Sequence, residues 1–129
     1  MGYMGLSHWV DSDAAADFHF VLQKTPKNKI REIVLKELEE PGNGCNTCGA
    51  INIALVMETE GNKEKYENKR SIVFSNILNK SDFKQILDKI NEKINLTEQT
   101  ELWDNEKNRL WHLGNYQRLY KLVESKNLG

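Results

Sequence analysis

Apolar positions along this chain recur every three or four residues, the spacing that places them on one face of an α-helix. Ala14, Phe18, Val21 and Leu22 form the first such set. Asp11-Ser12-Asp13 stands before it, offering acceptors to the open amides of a helix start and negative charge beside its positive end. Thr25-Pro26 predicts a second start, a capping hydroxyl followed by proline at the first helical position. Ile30, Ile33, Val34 and Leu38 then share one side, Lys29, Glu32, Lys36 and Glu37 lie elsewhere, and Pro41-Gly42 ends the segment.

The run from Ala50 to Met57 is different. It is apolar nearly all round, as expected of a central helix enclosed by others, although its β-branched residues also suit a buried strand. Thr47 as a cap, the two alanines and Gly61 as terminator favour the helix. Residues 62–70 are polar and charged around a single Tyr66, a solvated loop or a helical extension. Ile72, Val73, Phe74, Ile77 and Leu78 suggest a short helix within Ser71 to Lys80. Ser81 caps a clearer one, carrying Phe83, Ile86, Leu87, Ile90 and Ile94. Thr97 opens the last section, with Leu102 and Trp103 in a short helix before Asp104-Asn105. Leu110, Leu113, Tyr116 or Gln117, and Tyr120 make the final stripe, thickened by Leu119, Leu122 and Val123. Gly114 marks a possible break there, since an interior glycine costs about 1 kcal/mol relative to alanine. The expected fold is all-α: a single domain over residues 1–129, an irregular or orthogonal bundle of about five to seven helices, with a buried central helix near 48–60.

Composition narrows the classes. A chain of 129 residues suits one domain, and 39% hydrophobic with 29% charged residues argues against global disorder. Eighteen basic against 19 acidic residues leaves a net charge of −1, without the basic excess that phosphate neutralisation demands, so nucleic acid is not expected as a partner. No stretch approaches the roughly 20 apolar residues of a bilayer span, and Met1 to Gly5 lacks the basic-then-apolar order of an export signal. Membrane association is therefore not expected, and the predicted compartment is the cytoplasm, where two cysteines stay reduced. Frequent Lys, Asn, Ile and Glu suit an AT-rich genome, such as that of a phage or its host.

Met4-Gly5, an aromatic, and then Asp11-Ser12-Asp13-Ala14-Ala15-Ala16-Asp17-Phe18 resemble the opening of the bacterial family called domain of unknown function 4259. Thr100-Glu101-Leu102-Trp103-Asp104, with Trp111, Leu119 and Leu122 after it, is similar to that family's closing segment. The likeness covers about a quarter of the chain, and Ser7-His8 and the Cys-x-x-Cys loop depart from the pattern. It implies a mainly helical fold and no assigned activity.

Cys45-x-x-Cys48 is the most chemically suggestive pair. A thiol at a helix start is acidified by the dipole, which would suit redox work, but no strand of a βαβ unit precedes it. Two thiolates with two of His8, His19 and His112 would complete a tetrahedral zinc site, and Cys45, Cys48 and His8 are the candidate ligands. Small-residue packing at a helix start accounts for the same cysteines without metal. Asp11, Asp13 and Asp17 offer a carboxylate cluster, but capping and the dipole by themselves account for acids at a helix start and are the favoured reading. Trp103, Trp111, Tyr116 and Tyr120 are large contact groups for which burial in the core is the first reading, and they are also the candidate partner-binding groups. Lys63, Lys65, Lys69, Arg70, Lys80 and Lys84 form the most basic region, interleaved with Glu64, Glu67 and Asp82 as on a solvated face. No phosphate-binding glycine loop, dinucleotide fingerprint or nucleophile elbow is present. The functional expectation is a small protein-interaction module, of the inhibitor, immunity-type or phage host-modulating kind. A metal- or thiol-dependent protein using Cys45 and Cys48 is the alternative.

Overall fold

The computed structural model describes residues 13–40, 48–58, 72–99 and 105–128. Five α-helices account for most of them: α1 (Asp13–Lys24), α2 (Ile30–Leu38), α3 (Gly49–Met57), α4 (Lys80–Thr97) and α5 (Glu106–Leu128). Among the described residues there is no strand. The chain is all-α, with α3 as its centre.

Every residue from Gly49 to Met57 is buried, so α3 has no solvated face to set its rotation. It packs against α1, α2, α4 and α5. Those helices present one stripe each: Phe18 and Leu22 from α1, Ile30, Val34 and Leu38 from α2. Phe83, Ile86 and Ile90 come from α4, and Tyr116, Leu119 and Val123 from α5. The spacing of three and four in each set is the one the sequence displays. Burying a large aliphatic or aromatic side chain contributes about 1.5–3 kcal/mol, so this shared interior outweighs any single polar contact described below.

The approach of α2 to α3 depends on one residue. A Cβ at Gly49 would lie 1.7 Å from the carbonyl oxygen of Glu37, and the Gly49 N–H donates to the Glu40 carbonyl at 2.9 Å. The end of α2 and the start of α3 thus meet through a backbone hydrogen bond, at a distance only glycine allows. Cys48, in extended backbone, precedes the first residue of α3; Thr47, expected as the cap, lies outside the described residues.

Three local expectations need correction. Thr25 does not cap the following helix: its Oγ1 donates back to the Val21 carbonyl at 2.7 Å, closing α1. Pro26 is extended (φ −58°, ψ 144°), and a single 3₁₀ turn, Lys27–Lys29, leads into α2. Residues 72–79 hold only another 3₁₀ turn, Phe74–Asn76, in place of the expected short helix. Ile72 and Phe74 are both buried with Val73 exposed between them, a period of two that needs extended backbone. Asn79, not Ser81, starts α4. Its Oδ1 accepts from the Asp82 N–H at 2.8 Å, while Asp82 Oδ2 accepts from the Asn79 N–H at 3.1 Å, a reciprocal capping box. At Gly114, α5 continues unbroken, because an exposed glycine with nothing near its Cβ position has nothing to make room for.

Polar ties join the remaining elements. The Arg109 guanidinium holds Glu106 at 2.7 and 2.6 Å and donates to the Thr97 carbonyl at 3.3 Å, tying the start of α5 to the end of α4. Glu58, just beyond α3, pairs with Arg118 of α5. No helix among the described residues is long and apolar enough to cross a membrane.

Candidate functional site

The 3₁₀ turn before α2 and the one before α4 lie side by side. Between them opens a cleft of about 550 Å³, within the size range of small-ligand and side-chain pockets. Ile30 and Ile72 are its buried floor, Ile77 is half-buried, and Val73 is 41% exposed. Lys27, Asn28, Arg31 and Asn76 provide the polar rim. An aliphatic floor below a cationic edge is the arrangement produced.

Arg31 has a structural duty. Its Nε and Nη2 donate to the two oxygens of Asp82 at 2.8 and 3.0 Å, a bidentate pair that holds α2 against α4. The Arg31 hydrogen bond, helped by the Asn79 N–H, holds the Asp82 carboxyl below its ordinary range although burial opposes this. Asp82 is therefore ionised, buried and fully engaged, and Arg31 is the fixed wall of the cleft. Lys27 and Lys29 are exposed and have no carboxylate partner among the described residues. Lys24 sits 4.1 Å above the ring of Phe20, itself half-exposed.

The expected basic region was placed elsewhere, and most of it (Lys63, Lys65, Lys69 and Arg70) lies outside the described residues. A plainer signal existed. From Phe18 to Arg31 there are four cations, Lys24, Lys27, Lys29 and Arg31, and no Asp or Glu; from Ile72 to Ser81 there is Lys80 and again no acid. In a chain of net charge −1 these two segments are one-sided, and the fold puts them together.

The other candidate residues are dispersed. Cys45, His8 and Trp103 lie outside the described residues, as do Asp11 and residues 59–71. Cys48 is half-buried and lines a smaller cleft, about 390 Å³, with Glu39, Glu40, Glu92, Lys89 and Lys93. Among the described residues no group of three or more His, Cys, Asp or Glu is placed to hold a metal ion. Tyr116 is fully buried, while Trp111 and Tyr120 are half-buried against the core. Asp17 is exposed on α1.

His112 is 1% exposed on the inner face of α5. Its ring meets Trp111 edge-on at 5.0 Å and lies 6.0 Å from Tyr116, above which Lys93 of α4 also sits at 6.0 Å. Burial, with the Lys93 charge adding to it, lowers the imidazole to about 4. It is a neutral core ring near pH 7. Half-buried Glu37 of α2 meets buried Asn52 of α3: Asn52 Nδ2 donates to Glu37 Oε2 at 3.1 Å, and burial raises the Glu37 carboxyl.

No family model, no curated protein and no solved structure matches this chain.

Proposed function

We propose that this protein is a small protein-interaction module, acting by occupying a partner in the manner of an inhibitor, an immunity-type protein or a phage host-modulating protein. The observation that carries the reading is the cleft between Lys27–Arg31 and Ile72–Ile77. Its aliphatic floor offers burial to an incoming side chain, and its rim is built from residues with no role in the core apart from Arg31. A shallow apolar depression with a polar edge is how a surface accepts an anchor residue from another chain. The titratable groups buried in the interior are occupied in packing, as His112 and Asp82 illustrate. The resemblance to domain of unknown function 4259 lends the reading a helical architecture and no activity.

The test is selection of a displayed random-peptide library on the immobilised full chain. Backbone amide shifts are then mapped with the recovered peptides. Binders whose shifts centre on Lys27–Arg31 and Val73–Ile77, and which lose binding in Val73→Asp, are the expected result. A chain that recovers no peptide, or only peptides mapping to other surfaces, overturns the reading. Because Val73 is already 41% exposed, Val73→Asp should leave the helical dichroism spectrum intact.

A further inference from the structure

We infer that the segment received by this cleft is acidic: a short stretch of chain presenting one aliphatic or aromatic anchor between carboxylates. The inference rests on the interaction reading above and adds the partner's chemistry. Three observations combine. The walls of the cleft are aliphatic at Ile30, Ile72, Val73 and Ile77, so its centre takes an apolar group. Its described lining includes two cations, Lys27 and Arg31, and no acid, and the segments that form it, residues 18–31 and 72–81, hold three further lysines, Lys24, Lys29 and Lys80, and no Asp or Glu. Asp82, the carboxylate paired with Arg31, is 2% exposed, which leaves Lys27 as the lining cation without a carboxylate partner among the described residues.

The division of labour among the cations follows from their partners. Arg31 spends its bidentate geometry on Asp82 and keeps the wall in place. Lys27 on the rim, and Lys29 exposed on the same turn, have no carboxylate partner among the described residues and are the groups placed to meet one. Lysine ammonium groups on flexible stems tolerate several carboxylate positions, which suits an extended acidic segment more than one fixed ion. Rim charges of this kind govern encounter and partner choice more than final affinity, so binding should be salt-sensitive. A nucleic-acid strand would meet the same charges, but among the described residues no aromatic side chain lines the cleft to stack a base. An anionic bilayer calls for apolar groups that project outward, whereas these line a concavity.

The experiment uses the full chain and fluorescein-labelled synthetic peptides of one length. Each has a central leucine flanked by Asp/Glu, by Ser/Gly or by Lys, and a fourth has the acidic flanks with alanine at the centre. A single-stranded oligonucleotide and phosphatidylserine vesicles are the comparison probes. The acidic leucine peptide should bind at least about ten-fold more tightly than the neutral one. It should lose most of that margin at high salt, lose about ten-fold in the Lys27→Glu/Lys29→Glu double variant, and weaken when its leucine becomes alanine. Neutral or basic peptides binding at the cleft as well as the acidic one would overturn the inference while leaving the interaction reading standing. Tighter binding of the oligonucleotide or the vesicles, reversed by the same lysine substitutions, would also overturn it. No peptide of any charge bound at the cleft would remove both.

Discussion

Helices α3 and α5 pack against each other, yet they are built on opposite plans. In α3 all nine residues are buried and none carries a charge, with Asn52 the one polar side chain. In α5 the residues alternate between an inner face, with Arg109, His112, Tyr116, Leu119 and Val123 buried, and an outer one that meets solvent. The lesson is where each helix takes its instructions. A one-faced helix such as α4 carries its own orientation, because only one rotation buries its stripe; α5 is intermediate, burying Arg109 and His112 while Leu110 is left exposed. A helix apolar all round carries none, so contacts at its ends must place it: Gly49 against α2, the Asn52–Glu37 hydrogen bond, and the Glu58–Arg118 pair.

That contrast predicts unequal responses to small changes. The largest is at Gly49. Gly49→Ala puts a methyl group where the Glu37 carbonyl already is, and backbone must move, so we expect a loss of about 3 kcal/mol or more. The urea midpoint should fall accordingly, and a midpoint within experimental error of the parent's would show that α3 is not placed by this junction.

Next comes the inner face of α5. His112 has its folded pKa lowered from 6.5 to about 4. The unfolded chain therefore takes up a proton first, and the stability His112 contributes is full above pH 6.5 and falls as pH drops toward 4. The shift corresponds to about 3 kcal/mol across that window. The difference in unfolding free energy between the parent and His112→Gln should shrink on acidification by about that amount. A difference that stays constant from pH 7 to pH 4 would mean that the ring is accessible to protons in the folded state.

The smallest effect, of opposite sign, belongs to the outer face of α5. Gly114 is exposed, lies in mid-helix and has nothing within 4 Å of its Cβ position, so Gly114→Ala should stabilise the protein by about 0.5–1 kcal/mol. Thermal melting checks it. The same change, glycine to alanine, is thus expected to have opposite consequences in the two helices. A destabilising outcome at Gly114 would place an undetected contact on that face.

The cleft shows how far local signals reach. Lysines 24, 27 and 29 and the absence of acid around them are visible in the chain, but periodicity assigns Lys29 to a solvated helix side and stops there. That Ile72 and Val73 lie opposite is a long-range fact. It depends on the reciprocal cap at Asn79 and the Arg31–Asp82 pair, residues 51 positions apart. Thr25 and Ser81 were misassigned for a related reason. A hydroxyl near a helix boundary fits the end of one helix as well as the start of the next, and Thr25 bonds backward to Val21.

Hydrophobic spacing was enough to establish helices α1, α2 and α4 and the enclosed character of α3, because side-chain periodicity reflects which face must leave water, and that is a local property of the chain; for α5 it gave the helix but not its face, since Leu110 is 52% exposed while Arg109 and His112 are buried. Assembly settled the rest: the glycine-only contact at the α2–α3 junction, the depth at which His112 and Tyr116 lie, and the meeting of two acid-free segments around one aliphatic hollow. These depend on distances between residues far apart in the chain, which a pattern of neighbours does not contain.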